Sequence, residues 1–351
     1  MTPASYRVAT PVPRALWEEL LAGTPEALVS QSPAWLECLC EMGYEDASRL
    51  YETPDGRRLV LPMVRRRGWP ANRGPLESLP KGWGIGGPLS GERMLVSDAV
   101  AILADLAQQS AVITSLRPNP LDGAVWAAAR PAGALVVHRL AHVLDLEGGF
   151  PQVWEKRFSS NARRHVRQAE RAGLNVKCDT KGEFLPVFEF LLRRSIDRWA
   201  DMQHEPRWLA HWRLQPHNLV RRFAYLATRI SGAICLWVAW QGERPAAAII
   251  VLRGANAHYT QGVMDKDVAG PTYANFLLHK LAIEEACQLG CRHYHMGESG
   301  NSTSLAQFKS HFGARPYHWA EYHFERLPLM RANRLFRTAV KRLIGFKDVP
   351  K

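Results

Sequence analysis

The sequence predicts an α+β protein, and three observations lead to this fold class. Residues 233–264 read as three successive strands that turn at Gln241-Gly242 and at Gly254-Ala255-Asn256. A helix, "YANFLLHKLAIEEACQLG", a strand, "CRHYHMG", a helix around Lys309 and a last strand, "PYHWAEYHF", follow. The first half mixes helices with a hairpin. The strand–helix–strand part requires two parallel neighbours in an otherwise antiparallel sheet, each sheet being flanked by helices.

Two domains and a tail are expected along the chain, with bounds 1–147, 148–328 and 329–351. The first domain is predicted to hold a helix near Pro33–Met42, a hairpin turning at Pro54-Asp55-Gly56, a helix at Val96–Gln109, and strands at Ala111–Leu116 and His138–Leu146. The second is predicted to open with a basic helix, "VWEKRFSSNARRHVRQAERAG", which Ser159 or Ser160 could alternatively begin. A strand, "LNVKC", helices at roughly 183–199 and 218–230, and a loop, "DKDVAGPT", complete it.

Composition favours an ordinary globular protein, with 46% hydrophobic and 22% charged residues. The six cysteines form no CxxC pair and no disulfide framework, so reduced thiols are expected. The N-terminus lacks the pattern of a signal peptide, and no apolar run is long enough to span a membrane. The simplest interpretation is a cytoplasmic protein.

The charge of the chain is strongly basic, with a formal net value of +12. From residue 331 onward seven basic residues face one acidic residue, Asp348, and apolar residues recur between them at helical spacing. Such a basic amphipathic helix suits RNA or an anionic membrane surface. The alternative is a helix that docks by its apolar stripe on its own domain.

Lys309 is the first candidate catalytic residue. It follows a polar loop, 297–302, at a strand end that a ligand can reach, and Thr303 or Ser302 can cap the helix that carries it. Phe308 and Phe312 would flank an ammonium that could reach a developing oxyanion. The alternative is a surface lysine beside two core phenylalanines.

His295 and Glu298 are the candidate bases, since both lie at the end of the strand before Lys309. A buried core histidine is an equal interpretation of His295. The string C-x3-C-x-H-x-H, residues 287–295, lacks the spacing of a zinc site, so no metal is expected.

Phosphate binding is predicted at the arginine-rich helix, through Arg163, Arg164 and Arg167, with a solvated basic face as the alternative. The loop "DKDVAGPT" precedes a helix N-terminus, but its aspartates and poor glycine spacing disfavour a nucleotide or coenzyme A there. P-loop, GxSxG and HExxH motifs are absent.

Three segments resemble the C-terminal half of the Fem-like acyltransferases of the GNAT superfamily: "YTQGVMD", "EEACQLGCRHYHMG" and "FKSHFGARP". "NARRHVRQAERAG" is similar to the element that opens the second domain of that family. The resemblance implies two tandem GNAT-like domains, transfer of an aminoacyl or acyl group to an amine, and an oxyanion-stabilising role for Lys309.

Three departures from the family pattern bear on mechanism. His295 stands where relatives often have an aspartate before the strand-end glycine. A long heptad pair, as in a tRNA-contacting coiled-coil arm, is missing, and so is the coenzyme A loop after "YTQGVM".

The resulting expectation is an N-acyltransferase that takes an aminoacyl group from aminoacyl-tRNA to a primary amine of a peptidoglycan precursor or antibiotic-type molecule, without a tightly bound cofactor. Alternatives are an acyl-CoA-dependent N-acetyltransferase of exopolysaccharide or natural-product biosynthesis, and a non-catalytic RNA- or membrane-binding protein. The tail could contact an anionic membrane. The expected substrate-binding residues are Tyr259, Gln261, Tyr273, Ser299, Asn301, Phe308 and Phe312.

Overall fold

The computed structural model describes residues 6–70, 73–129, 133–300 and 302–347. The chain forms two compact units. Unit 1 comprises Met1–Ala141 and Pro316–Leu329, and unit 2 comprises His142–Arg315 and Met330–Lys351. The predicted division at residues 147 and 328 stays a prediction.

Unit 1 contains short strands and amphipathic helices. Its strands are β1 (Arg7–Ala9), β2 (Tyr44–Asp46), β3 (Arg49–Glu52), β4 (Arg58–Leu61), β5 (Val64–Arg66), β6 (Leu76–Ser78), β7 (Ile113–Leu116) and most of β8 (Leu135–Asp145). Its helices are α1 (Arg14–Gly23), α2 (Pro33–Glu41), α3 (Val96–Ala107) and α4 (Gly123–Ala128). The predicted hairpin is confirmed, because β3 pairs antiparallel with β4 around the turn at Gly56.

Unit 2 holds the longer elements. Its helices are α5 (Gly149–Gln152), α6 (Ser160–Arg171), α7 (Leu185–Gln203), α8 (Arg207–Leu214), α9 (Pro216–Arg229), α10 (Lys266–Thr272), α11 (Ala274–Gln288), α12 (Thr303–His311) and α13 (Leu329–Leu343), which begins at the last residue of unit 1. Its strands are β9 (Asn175–Asp179), β10 (Ile234–Gln241), β11 (Arg244–Leu252), β12 (Ala257–Met264) and β13 (His293–Glu298). The chain then returns to unit 1 through β14 (Arg315–Glu325).

Each unit has a mixed, mostly antiparallel sheet, which confirms the α+β prediction. In unit 1 the strand order is β2-β5-β6-β7-β14-β8, with β6 and β7 parallel, beside the three-stranded sheet β1-β3-β4. In unit 2 the order is β13-β12-β11-β10-β9. The predicted parallel pair is β12 with β13, where His258 lies opposite His295.

The core of unit 2 lies between this sheet and α11. Apolar residues of β11 and β13 pack there against α11, and Phe312 adds a fully buried ring beyond α12. This packing fixes the end of β13 against the start of α12.

Three local predictions for unit 2 differ from the structure. The predicted basic helix is broken, because residues Val153–Arg157 form a π-helical turn and Ser159 caps α6 by accepting from Ala162 N. This outcome matches the alternative start at Ser160. The predicted loop "DKDVAGPT" contains α10, since Asp265 accepts from Asp267 N and begins a helix. Helix α8 was not predicted.

A disulfide joins Cys178 to Cys235, which corrects the expectation that all thiols are reduced. The two cysteines lie 57 residues apart in sequence on neighbouring antiparallel strands, so spacing alone could not reveal the pair. Arg253 donates to Glu285 and to the sulfur of Cys178 beside this bond.

Candidate functional site

Lys309 lies inside unit 2 with 1% of its surface exposed. Ser302 caps α12 by accepting from Leu305 N, and the helix turns Lys309 toward the end of β13. There its Nζ donates to the backbone oxygens of Gly297, at 2.9 Å, and Glu298, at 2.7 Å. The predicted helix therefore forms, and its lysine is held by main-chain carbonyls rather than lying on the surface.

Burial lowers the pKa of the Lys309 ammonium from 10.5 to about 7, and the nearby charge of Glu298 opposes this shift. The group can therefore gain or lose a proton near neutral pH. Shifts of this size occur at catalytic lysines and are uncommon on ordinary surfaces.

A pocket of about 660 Å³ opens beside Lys309. Residues of β12, the end of β13 and α12 form its walls. Its lining includes Tyr259, Gln261, Gly262, Asn275, His279, Glu298, Leu305, Phe308 and Lys309. Its volume lies in the range of small-molecule sites, and its walls combine apolar rings with a few polar groups.

A β-bulge in β12 shapes one wall of this pocket. Ile250 of β11 pairs with Gln261, whereas Val251 pairs with Tyr259, so Thr260 is the extra residue. The bulge aims Tyr259, Thr260 and Gln261 into the pocket lining together. Burial raises the pKa of Tyr259 to about 12, so its hydroxyl stays protonated.

The two phenylalanines that flank Lys309 have different positions. Phe308 lines the pocket and packs edge-on against His279, with ring centroids 5.4 Å apart. Phe312 is fully buried in the core of unit 2 and stacks on Phe276.

The two candidate bases, Glu298 and His295, lie in different surroundings. Glu298 lines the pocket with Lys309, whereas the described lining residues do not include His295. His295 is 1% exposed, and burial together with His258 and His293 holds its pKa well below 6.5. It is therefore neutral at physiological pH and lies away from the space that a substrate would occupy.

The remaining predicted substrate residues have varied surroundings. Ser299 is buried, with its Oγ 3.0 Å from Nδ1 of His142. Tyr273 stacks on His165 of α6, with centroids 4.1 Å apart. Neither belongs to the described pocket lining. Asn301 lies outside the described residues.

Three of the four arginines of α6 were predicted to bind phosphate, and they fall into two groups. Arg163 donates through Nη1 to the backbone oxygens of Trp154, Glu155 and Phe158, so it stabilises the end of the π-helical turn. Arg164 and Arg167 are exposed, and Arg164 donates to Asn161. These two present a cationic face to solvent, and Arg171 at the end of α6 is exposed as well.

His279 and Arg198 are among the pocket residues that sequence reasoning missed. His279 of α11 is buried, burial and Lys309 lower its pKa to about 3, and its ring packs on Tyr259 at 4.6 Å. Arg198 of α7 donates to the backbone oxygen of Met264 at 3.1 Å. The sequence signal for His279 was a histidine within the apolar run "NFLLHKLA". The sequence contains no such signal for Arg198, because nothing distinguishes it from the other two arginines of "LLRRSIDRWADM".

Comparison with known proteins agrees with this geometry. Residues 156–310 match the acetyltransferase (GNAT) domain family. No curated protein matches the chain. Among solved structures, FemX covers 91% of this chain and 97% of its own at 11% identity, with a TM-score of 0.61.

Two further structures are similar over comparable lengths. A tandem GNAT protein from the clavulanic acid biosynthesis pathway is 12% identical, covers 91% of this chain and 98% of its own, and has a TM-score of 0.47. L-PGS from Bacillus licheniformis is 15% identical, covers 90% and 97%, and has a TM-score of 0.44.

Lys309 and the parallel pair of β12 and β13 lie within the matched GNAT domain, and FemX shares the fold of the chain. Residues 156–310 of the chain therefore contain a GNAT acetyltransferase domain, and the chain shares its fold with FemX.

Proposed function

We propose that the protein is a cytoplasmic N-acyltransferase that moves an aminoacyl group from aminoacyl-tRNA to a primary amine of a peptidoglycan precursor or antibiotic-type small molecule. The supporting observation is Lys309, a buried lysine that faces a pocket large enough for an aminoacyl group. Its pKa is lowered to about 7, so below that pH the ammonium is present to stabilise negative charge in a partly apolar space.

The reaction would proceed by attack of the neutral amine on the ester carbonyl carbon. A C–N bond forms while the carbonyl oxygen becomes an oxyanion, which the Lys309 ammonium stabilises. Collapse of this intermediate breaks the bond to the ribose oxygen. That oxygen leaves with the proton that the amine gives up, either directly or through Glu298 in the pocket wall.

Tyr259, Gln261 and Phe308 would hold the acyl group, because all three line the pocket beside Lys309. Ser299, Tyr273, Phe312 and His295 would support this arrangement from their buried or stacked positions. We assign no direct substrate contact to these four residues.

The start of α10 supports tRNA over coenzyme A as donor. Asp265 occupies the N-cap there, Asp267 lies in the first turn, and Arg244 and Arg194 already pair with Asp265. Carboxylates at a helix N-terminus oppose a pyrophosphate at that position. The net charge of +12 and the exposed Arg164 and Arg167 favour a polyanionic donor instead.

The test is purified protein with charged tRNA or with acetyl-CoA, each against a panel of small primary amines, followed by mass spectrometry of the products. We expect a new amide only with charged tRNA. Turnover with acetyl-CoA alone would establish the acyl-CoA alternative, and no turnover with either donor would support the non-catalytic alternative.

Arg167→Gln and Arg163→Gln provide a matched pair for the donor. Arg167→Gln should raise the KM for charged tRNA and leave the melting temperature unchanged. Arg163→Gln should lower the melting temperature, because three backbone oxygens lose their donor.

A further inference from the structure

Helix α8 in unit 2 exposes two tryptophans. Trp208 is 72% and Trp212 70% exposed, and their spacing of four residues places both on one side of the helix. Large aromatic side chains are ordinarily mostly buried, so a pair this exposed indicates a surface that binds something.

Polar contacts on the opposite side hold α8 in this orientation. His211 Nε2 lies 2.8 Å from Asp197, and Arg213 donates to the buried carboxylate of Glu205 at 2.7 Å. Ala210 is the buried apolar residue of the helix. The helix therefore packs through polar contacts and its smaller apolar side chains, and it leaves its two tryptophans in solvent.

Helix α13 exposes a second apolar face. Leu335, Phe336 and Leu343 are 73%, 69% and 87% exposed, and helical geometry places them within one arc. The exposed Arg337 and Arg342 border this arc, and the helix contains no acidic residue. Docking of this stripe on its own domain, the alternative interpretation of the sequence, is not what the structure shows.

The segment that follows α13 is hydrogen-bonded to the end of α7, which α8 follows in the chain. Gly345, at a φ of +65°, ends α13, and the chain turns so that Lys347 N donates to Gln203 O at 2.8 Å. Gln203 is the last residue of α7, and α8 begins four residues later at Arg207. The exposed apolar side chains of α8 and α13 thus belong to neighbouring parts of unit 2.

We propose that these two helices form a docking surface for an anionic lipid bilayer, with Trp208, Trp212, Leu335, Phe336 and Leu343 entering the interface and Arg337 and Arg342 contacting lipid phosphates. Tryptophan favours the interfacial region of bilayers, and a helix with one apolar and one basic face lies in that region. RNA would use the arginines and leave five large apolar side chains in water. A protein partner would not require such a uniformly basic helix.

The membrane-docking surface goes beyond the proposed acyl transfer, since it would bind a bilayer whether or not the enzyme acts. Trp199 and Met202, near the end of α7 that precedes α8, line the pocket. None of the described helices is long and apolar enough to cross a membrane.

The experiment is flotation of the full-length protein with vesicles of phosphatidylcholine alone or with about a third phosphatidylglycerol. We expect binding to the anionic vesicles to be at least about tenfold stronger, and to weaken with added salt. Absence of binding to anionic vesicles would overturn the proposal.

Paired variants identify the surface. Leu335→Ser with Phe336→Ser, and separately Trp208→Ser with Trp212→Ser, should each lower vesicle binding about tenfold. Arg337→Gln with Arg342→Gln should remove the preference for anionic lipid. Leu289→Ser, at an exposed leucine beyond the end of α11, is the control and should bind like the wild type.

Three outcomes separate the alternatives. RNA binding that survives both apolar double variants, without vesicle binding, would assign the basic helix to RNA instead. A dimer in light scattering that the same variants abolish would assign the surface to a second copy. Acyl transfer to a soluble amine should be unchanged in all four variants, so a failed docking test and a failed proposed function are distinguishable.

Discussion

Lys309 carries a specific prediction about pH. Its pKa is lowered to about 7, so the ammonium is present below that pH and lost above it. If the ammonium stabilises the oxyanion, kcat should fall as pH rises through about 7, measured with an acceptor amine of low pKa. A lysine acting as the base would give the opposite slope. Lys309→Met should lower kcat about 100-fold, and kcat of this variant should no longer decrease as pH rises through about 7.

Lys309→Arg is the control for this prediction, because arginine keeps its charge across the accessible pH range. Any kcat that the Lys309→Arg enzyme retains should not decrease as pH rises through about 7. If kcat of Lys309→Arg still decreases near pH 7, the group that titrates there is not Lys309.

Single residues were predictable where chemistry and spacing agree. Ser302 as a cap and Lys309 beside Phe308 follow from short local patterns. The partners of Lys309 could not be predicted, because they are the backbone oxygens of Gly297 and Glu298, which every sequence supplies equally. His279 lies in the pocket because of how α11 is oriented about its own axis. Packing of the helix against the sheet determines that orientation.

Strand β12 carries the second prediction, at Gly262. A Cβ added there would lie 2.3 Å from the Tyr259 hydroxyl, and the Tyr259 ring already packs against His279. Gly262→Ala should therefore displace the Tyr259 side chain within the pocket and raise the KM for the acyl donor about tenfold, a loss of about 1.4 kcal/mol. The melting temperature should change little.

The matched control is Gly270→Ala, since a Cβ at Gly270 meets nothing within 4 Å. Adding Tyr259→Phe to Gly262→Ala removes the atom in closest contact and should restore part of the lost affinity. No recovery in the double variant would contradict this account of the clash.

Whole elements were predictable where apolar periodicity was strong. The strands β10 to β12 and helix α11 have the patterns of buried elements and appear within a few residues of their predicted bounds. Helix α8 was missed because its sequence, "RWLAHWRL", has only eight residues, too few for an apolar periodicity to stand out. Helix α10 was missed because a glycine and a proline within it ordinarily indicate a loop.

The organisation of the whole chain has a feature that a linear sequence does not reveal. Strand β14 returns to unit 1 and pairs there with β7, and the chain then enters unit 2 again at Met330. Sequence patterns predict a strand at this place, but strand pairing between distant segments depends on tertiary packing. The disulfide between Cys178 and Cys235 was hidden for the same reason.

The third prediction concerns the acid stability of the folded protein. Three histidines of unit 2 are buried with lowered pKa values: His279 at about 3, His142 at about 4, and His295 well below its usual value. Their ordinary value is 6.5, so as pH falls below 6.5 the unfolded chain binds protons that the folded chain does not. Each such proton lowers the free energy of unfolding by up to about 1.4 kcal/mol per pH unit.

Two carboxyls of unit 1 act in the opposite direction, because burial raises the pKa values of Asp122 and Glu77. Burial raises the pKa of Asp122 in unit 1 to about 6, so the folded state binds that proton first and gains stability as pH falls from about 6 toward 4. The three histidine protons outnumber these two carboxyl protons, so a net loss of stability remains. The free energy of unfolding in urea should therefore decrease steadily between pH 6.5 and about 4, and His279→Gln should make this decrease shallower by one proton. A constant free energy across that range would show that these histidines are not neutral and buried, and would remove the physical basis for the closed core beside Lys309.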